Sequence, residues 1–348
     1  MGMISFLLQK AKSLGGFDES VSSLKDWREK VLKVWNEGFY VESGDFSMAA
    51  VDGSRNKKVF SGYSVYAVGS VAVVFDGSEK QSRFLVDVDV LKPEEFSDAR
   101  VRMLMGILES KVALNVVDEV DYLLLDGSLL GAFVRPAVFV GELSADDRRV
   151  VDGIFDDLRD VYSLSDIDAK KFYRELERHF QGISYAAACG YLEYLEYLFS
   201  LQRLLEKGKG KLIAISKRSN SRNYEFDRIF PDAAVLNHFS QLEGFTFPLR
   251  VSISKEVKFK FPSVFEEIFR DFEFTVFFYK ERNCPAFKVE ALTSADEALA
   301  VIFKYKSGGY PFPLKMAHDE VKIGKEEMEK VIYALKHRGV SGREALGE

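Results

Sequence analysis

The sequence contains little cysteine, histidine or proline, and each shortage narrows the range of functions open to it. Two cysteines occur in 348 residues. They are too few for a disulfide framework and they follow no metal-ligand spacing. A reducing cytoplasm is therefore the expected location. The eight prolines leave few fixed breaks in the chain, and the four histidines are few enough to be considered one at a time.

Long apolar runs and an excess of positive charge are also missing. No uncharged stretch approaches the roughly 20 residues that a membrane-spanning helix needs. The N-terminus has its apolar segment before its lysines, unlike a signal peptide. We therefore expect a soluble globular protein with no membrane partner. The formal net charge of −6 excludes a uniformly basic surface, so any contact with nucleic acid must be local.

Hydrophobic patterning divides the chain into an N-terminal helical arm, residues 1–45, and one large α/β domain, residues 46–340. The arm has helical spacing through Val21, Trp27 and Trp35. In the domain we predict strands at about 46–52, 62–75, 83–91, 122–126, 212–216, 272–280 and 286–291, and helices at about 94–118, 294–306 and 319–338. A mostly helical insertion covers about 143–207. This order predicts a mixed sheet with flanking helices.

The tripeptide Asp-Gly-Ser occurs three times. The copies that begin at Asp52 and Asp126 each follow an apolar run, so each aspartate should lie where a buried strand leaves the sheet. A carboxylate is costly there unless it is paired, hydrogen-bonded or bound to a cation. The copy at Asp76 stands between two strand-like runs and is typical of a hairpin turn. Taken alone, the first two copies are equally compatible with turns and with a metal site.

A third carboxylate, Glu109 of the helix predicted at 94–118, joins the two aspartates if the elements fold in the predicted order. When three antiparallel strands precede a helix that crosses the sheet, the first and fourth strands can lie side by side. Asp52 and Asp126 then meet beneath Glu109, and the pattern resembles the ribonuclease H-like nucleases. Such carboxylates can hold two divalent ions about 4 Å apart, one generating hydroxide and one stabilising the leaving oxygen of a phosphodiester. Manganese or magnesium suits these oxygen ligands.

His318 is the histidine best placed for chemistry. It follows a proline-braced segment, residues 309–317, that could hold the imidazole at the start of a helix. A neutral imidazole could ligate a metal there, and a charged one could donate to a phosphate. His179, His238 and His337 are most simply surface or hydrogen-bonded residues. Residues 217–222 form a second candidate, a cationic and donor-rich exit from the strand predicted at 212–216.

Five motifs occur in an order similar to that of the archaeal and bacterial NurA nucleases. They are Ala50-Val51-Asp52-Gly53-Ser54, the helix carrying Glu109, Leu125-Asp126-Gly127-Ser128, Ile215-Ser216-Lys217-Arg218-Ser219, and Tyr310-Pro311 through Ala317-His318. The resemblance covers about residues 45–335. It implies a ribonuclease H-like, manganese-dependent nuclease that digests DNA ends 5′ to 3′ and cuts single strands internally.

The resemblance also implies residue roles and partners. Asp52, Glu109 and Asp126 match the acidic metal ligands, His318 matches the C-terminal histidine, and Lys217 matches a lysine that would stabilise charge near the scissile phosphate. Glu290 is the predicted fourth acidic ligand, although Lys288 stands where the family has arginine. The predicted DNA contacts are Arg55, Lys217, Arg218, Arg222 and Tyr310. Members of the family are homodimers that work with the hexameric HerA helicase-translocase in resecting double-strand breaks, so the same partners are expected.

Other interpretations fit parts of the sequence. Asp87 and Asp89 resemble the motif of haloacid dehalogenase-type phosphatases, but that motif needs threonine where Leu91 stands, so we interpret both aspartates as exposed positions on a half-buried strand. The chain could also be a catalytically idle adaptor of a DNA translocase, although the retained candidate residues argue against this. Tyrosines spaced three apart over 191–197 could stack bases, but core packing is more common for such stripes.

Overall fold

The structure, a computed structural model, describes residues 3–13, 24–39, 44–134, 141–256, 261–270 and 272–335. Its helices are α1 (Met3–Ser13), α2 (Leu24–Val34), α3 (Ser97–Leu114), α4 (Leu129–Val134), α5 (Ala145–Asp160), α6 (Tyr173–His179), α7 (Gly182–Lys207), α8 (Asp232–His238), α9 (Ile253–Glu256), α10 (Ser263–Arg270), α11 (Ala295–Lys304), α12 (Phe312–Val321) and α13 (Lys325–Ala334). Val21 of the predicted arm and residues 336–340 of the predicted domain lie outside the described residues.

The strands are β1 (Trp35–Glu37), β2 (Met48–Phe60), β3 (Tyr63–Phe75), β4 (Lys80–Leu91), β5 (Tyr122–Asp126), β6 (Leu212–Ser216), β7 (Gly244–Thr246), β8 (Leu249–Ser252), β9 (Glu273–Lys280), β10 (Phe287–Ala291), β11 (Lys306–Ser307) and β12 (Tyr310–Pro311). Among the helices described, none combines the length and the hydrophobicity that crossing a membrane requires.

The chain forms two compact units. The smaller unit contains Met1–Phe39, Arg218–Phe247 and Phe278–Phe287, and the larger contains Tyr40–Lys217, Pro248–Phe277 and Lys288–Glu348. The predicted arm is thus grouped with two later segments of the chain, and the predicted boundary at residue 45 stays a prediction. Helices α5, α6 and α7 occupy the range predicted for the helical insertion.

The larger unit is built on a mixed sheet with the strand order β9-β10-β6-β5-β2-β3-β4, and β8 pairs with β9. Strands β2, β3 and β4 form an antiparallel meander, whereas β5 runs parallel to β2 and β6 runs parallel to β5. The first strand of the meander therefore lies beside the strand that follows α3. This confirms the predicted mixed α/β sheet, including the pairing of the first and fourth strands.

Helix α3 packs between the sheet and α7. A Cβ on Gly106 of α3 would lie 2.6 Å from Cε2 of Tyr197, so glycine permits the close approach of the two helices. Two buried ion pairs join them as well. Arg100 Nη2 lies 2.6 Å from Glu193 Oε1, and Lys111 Nζ lies 2.6 Å from an oxygen of the Glu196 carboxylate.

The tyrosine stripe of α7 is part of the hydrophobic core of the larger unit. Tyr191 and Tyr194 are buried in this core, and the partly buried Tyr197 packs against it. Buried rings are not accessible to bases, so the core interpretation of the stripe is confirmed.

Two sequence predictions about the ends of elements were wrong. Strand β2 does not end at Asp52 but runs to Phe60, because β3 pairs with all 13 of its residues. His318 does not stand at a helix start but is the seventh residue of α12. That helix begins earlier because Pro313 lies in its first turn, where the missing N–H of proline costs nothing.

The smaller unit has its own core around the two tryptophans. Trp27 donates through Nε1 to Oδ2 of Asp227 at 2.8 Å, and Trp35 donates through Nε1 to the carbonyl of Glu243 at 3.2 Å. Only 2% of Trp27 and 7% of Trp35 are exposed. These buried side chains stabilise the smaller unit.

Candidate metal centre

Asp52 and Asp126 lie on neighbouring parallel strands of the larger unit. The register of β2 and β5 pairs Val51 with Leu125, so the next residue of each strand is an aspartate. Asp126 ends β5, whereas β2 continues beyond Asp52. Asp52 is buried, and its Oδ1 accepts a hydrogen bond from the N–H of Gly53 at 2.8 Å. The sheet thus brings two carboxylates together at the end of an interior strand.

Helix α12 adds His318 to these aspartates. Its Nδ1 lies 2.8 Å from Oδ2 of Asp52. The chain after the helix is fixed to β2, because the N–H of Ile323 donates to Ser54 Oγ at 2.9 Å and Asn56 Nδ2 donates to the Ile323 carbonyl at 3.2 Å. Residues 52, 54 and 56 alternate along the strand and so face α12 together.

The ligand atoms of Asp52, Asp126 and His318 all lie within 4.8 Å of one another. Two carboxylates and an imidazole are a donor set that manganese accepts. These three residues, called here the metal group, therefore fit a divalent ion.

Glu109 of α3 approaches the same strand at Gly53. A Cβ on Gly53 would lie 2.5 Å from Glu109 Oε1, so a larger residue at this position would displace the Glu109 side chain. Burial, followed by the charges of Asp52 and Asp126, raises the pKa of Glu109 to about 8. Burial and the charge of Asp126 also raise the pKa of Asp52, although its hydrogen bond with His318 opposes the shift. Such mutual repulsion is relieved when a cation binds.

Lys217 follows the end of β6 and supplies positive charge beside Asp126. Its Nζ lies 2.6 Å from Oδ2 of Asp126, and 43% of its side chain is exposed. The same Nζ lies 4.7 Å from the centroid of the Tyr310 ring. Lys217 is therefore adjacent to the metal group, whereas the Tyr310 ring beside it is buried, so the role of Tyr310 as a DNA contact stays a prediction.

Glu290 of β10 is completely buried and contacts the turn that follows Asp126. Its carboxylate accepts from Ser128 Oγ and from the N–H of Leu130, both at 2.9 Å, and lies 2.8 Å from Lys288 Nζ. It is not one of the three residues of the metal group. The structure gives Glu290 a contact with the Asp126-Gly127-Ser128 turn, and its role as a metal ligand stays a prediction.

The other three predicted DNA-binding residues, Arg55, Arg218 and Arg222, are not members of the metal group. Arg55 is partly buried in β2, and strand alternation directs its side chain to the opposite face from that of Asp52. Arg218 and Arg222 belong to the smaller unit, where both are exposed. Their roles stay predictions.

The aspartates of the phosphatase-like motif are less solvated than expected. Lys170 Nζ lies 2.8 Å from a carboxylate oxygen of both Asp87 and Asp89, and Asp87 also accepts from the Tyr66 hydroxyl at 2.5 Å. Only 20% of the Asp87 side chain is exposed. The prediction of an exposed position was therefore wrong for Asp87, because a distant lysine covers it.

Sequence reasoning did not identify the contacts of Gly53, Ser54 and Asn56 that position Glu109 and α12. The period-two alternation after Asp52 was the available signal for Ser54 and Asn56. It was not used because Asp-Gly was interpreted as the end of the strand.

Comparison with known proteins places this architecture in a family. A family model described as the NurA domain matches residues 46–323. The DNA double-strand break repair nuclease NurA of Saccharolobus solfataricus is 28% identical over 318 residues, which cover 88% of this chain and 85% of that protein.

Solved structures share the fold. The crystal structure of the NurA nuclease from Sulfolobus solfataricus has a TM-score of 0.73 at 23% identity and covers 97% of this chain and 96% of its own. A crystal structure of NurA bound to dAMP and manganese has a TM-score of 0.69 at 19% identity, and the match covers 99% of this chain and 98% of that one. Because the family model spans most of the sequence, including the whole metal group, this chain belongs to the NurA family.

Proposed function

We propose that this chain is a divalent-metal-dependent DNA nuclease that acts in double-strand break repair. The observation that carries the proposal is the grouping of Asp52, Asp126 and His318 within 4.8 Å, with Glu109 and Lys217 beside them. The printed name of the Saccharolobus relative, a DNA double-strand break repair nuclease, supports the substrate class. A NurA structure with dAMP and manganese supports manganese as the ion, with magnesium as the alternative.

The residues present provide ligands for two ions. Asp52, Asp126 and His318 would hold one of them, and Glu109 would join Asp52 and Asp126 at the second. Bound ions of this kind lower the pKa of water and stabilise the leaving oxygen of a phosphodiester. The raised pKa values of Asp52 and Glu109 support this assignment, because carboxylates that repel one another gain most from a shared cation.

The chain's own side chains position and protonate the substrate. Lys217 has its ammonium group at Asp126 and is partly exposed, so it can donate to a non-bridging oxygen of the scissile phosphate and stabilise developing charge. His318 is held through Nδ1 by Asp52, and 53% of its side chain is exposed. If Nδ1 stays bonded to Asp52 and His318 does not ligate an ion, its Nε2 is the ring nitrogen that can hold or release a proton at the substrate.

We further propose the finer activity that family membership implies: 5′ to 3′ digestion of ends and internal cleavage of single strands, by a homodimer that works with a HerA-like hexameric ATPase in end resection. The net charge of −6 supports dependence on such a partner. A protein that binds many phosphates needs cations to displace the counterions of DNA, and this acidic chain can supply them only locally.

The decisive experiment incubates the purified chain with end-labelled single-stranded and duplex DNA in Mn²⁺, Mg²⁺ or EDTA. We expect metal-dependent cleavage, with the order of products from 5′-labelled and 3′-labelled strands reporting polarity. Release of phosphate from a generic ester without DNA cleavage would favour a phosphatase. No cleavage in any metal would favour the adaptor. Adding the ATPase and measuring complex mass and duplex digestion tests the partnership.

A further inference from the structure

The exposed face of α12 carries an aromatic ring and two cations in line with His318. Phe312 is 39% exposed, and Lys315 and Lys322 are exposed. Lys322 caps the C-terminal end of the helix. Spacings of three, three and four residues place Phe312, Lys315, His318 and Lys322 along one side of a helix.

This side of α12 is the one that solvent reaches beside the metal group. The opposite side is buried through Leu314, Ala317 and Val321, and His318 lies at the border, where its Nδ1 is bound to Asp52. With a rise of about 1.5 Å per residue, Lys315 lies about 4.5 Å before His318 along the axis and Lys322 about 6 Å after it. A chain of phosphates that runs along the helix past His318 would therefore also pass both lysines.

The charges on this face favour a polyanion. Lys315 forms no ion pair within the described ranges of the chain. Asp319 is an exposed acidic residue of the same helix, and no ion pair joins it to either lysine among the residues that the structure covers. Lys322 lies within the electrostatic reach of Glu327, so Lys315 is the cleaner probe.

We propose that this face of α12 is a binding track for single-stranded DNA, in which Phe312 stacks on a base and Lys315 and Lys322 bind the phosphates that flank the one at His318. An exposed aromatic ring in line with cations is the combination by which proteins hold single strands without reading their sequence. The inference rests on the proposed nuclease function and adds the residues that align the strand.

The test measures binding of a fluorescein-labelled oligothymidine by anisotropy, in EDTA so that no strand is cut, over a series of salt concentrations. Each phosphate contact to a single strand contributes about 0.7 to the slope of log K against log salt. Lys315→Ala should lower that slope by about 0.7. Phe312→Ala should weaken binding about fivefold or more and leave the slope unchanged.

Two further variants separate a defined track from a general charge effect. Lys330→Ala removes an exposed lysine of α13 and should change neither affinity nor slope. Asp319→Asn removes the acidic charge from the track and should tighten binding. Mn²⁺ affinity, measured by EPR, should stay at the wild-type value in all four variants.

An unchanged slope in Lys315→Ala, or an equal loss in Lys330→Ala, would overturn the track. Weaker binding in Asp319→Asn would also contradict it. If the wild-type chain cleaves DNA and Lys315→Ala binds normally, only this inference fails. If the wild-type chain neither binds nor cuts DNA in any metal, the proposed nuclease function fails with it.

Discussion

Asp126 and Asp76 begin the same tripeptide, Asp-Gly-Ser, yet they lie in different surroundings. Asp76 lies in the hairpin between β3 and β4, where its Oδ1 accepts from the N–H groups of Glu79 at 2.8 Å and Ser78 at 2.9 Å. These local donors lower the pKa of Asp76 and confirm the predicted turn. Asp126 ends an interior strand, where its neighbours are Asp52 and Lys217.

The comparison shows that the position of a strand in the sheet, rather than the tripeptide, decides what an Asp-Gly-Ser sequence does. A hairpin supplies its aspartate with backbone donors from the following residues. An interior strand end places the aspartate among residues of other elements, here a second carboxylate and a lysine. Of the two aspartates, only Asp126 lies in a group of side chains that could hold a metal ion.

The largest expected difference is in cleavage rate, between the variants in which Asp126 or Asp76 is changed to asparagine. This change keeps the shape of the side chain and removes its charge. Asp126→Asn should lower the cleavage rate by about a thousandfold, because it removes a proposed ligand of the metal. The metal-free variant should melt at the same temperature or higher, because Asp52 and Glu109 lose a repelling neighbour. Asp76→Asn is the matched control and should cleave at the wild-type rate. Near-normal turnover of Asp126→Asn in Mn²⁺ would remove this residue from the site.

The next largest loss of activity is expected at His318, the residue of α12 that contacts Asp52. Asp76, by contrast, has its contact with the nearby Ser78. His318→Ala should lower the cleavage rate by about a hundredfold, the usual cost of an acid/base or charge-stabilising group, while DNA binding persists. Measuring Mn²⁺ affinity in the same variant distinguishes a metal ligand from an acid/base group, since only the loss of a ligand predicts weaker binding of the ion. Normal cleavage from pH 6 to 9 would make His318 a structural residue.

A smaller effect is expected at the glycines of the tripeptides. Gly53→Ala places a methyl group where the Glu109 carboxylate lies, and displacement of Glu109 should weaken Mn²⁺ binding about tenfold. Gly127 has φ of +127° and no atom within 4 Å of a built Cβ, so Gly127→Ala strains the backbone without touching Glu109. EPR titration of both variants tests this distinction. Equal Mn²⁺ affinities would show that Glu109 does not depend on the space at Gly53.

The last prediction concerns the pH dependence of stability in the metal-free protein. Glu109 has an ordinary pKa of 4.5 and a folded-state pKa of about 8, so the folded chain binds its proton more tightly than the unfolded chain. The free energy of unfolding should therefore fall as pH rises between these two values. Asp76, whose pKa is lowered, acts in the opposite sense and loses its contribution as the solution becomes acidic.

Chemical denaturation in EDTA from pH 5 to 8.5 measures this slope. Glu109→Gln should flatten it, and Asp76→Asn should leave it unchanged over this range. A slope that survives Glu109→Gln would assign the titration to another group.

The interior of the sheet was the most predictable part of the fold. Strands β5 and β6 have the predicted bounds, 122–126 and 212–216, because each is a short apolar run that ends at a polar residue. The meeting of Asp52 and Asp126 followed from the order of elements alone. By contrast, β2 was cut short at Asp52, because Asp-Gly usually signals a turn and a single sequence does not reveal that β3 pairs beyond it.

Side-chain contacts made where a helix crosses another element could not be predicted. Nothing in the local sequence pairs Arg100 with Glu193, or Lys111 with Glu196, since each pair is joined by the crossing of two helices. The interaction of Glu109 with Gly53 has the same origin. Periodicity predicts which side of a helix is apolar, but a buried charge is recognised only when its partner is known.

The ion pairs between α3 and α7 determine whether the nuclease core could be made smaller. Removing residues 143–207 would delete Glu193 and Glu196 together with α7, and any new cover of α3 without carboxylates would leave Arg100 and Lys111 as unpaired buried cations, at a cost of about 3–5 kcal/mol for each broken pair. A minimal enzyme would therefore need both cations replaced by apolar residues, together with a new cover for α3. The stability of α3, which carries Glu109, is thus tied to the helical segment that covers it.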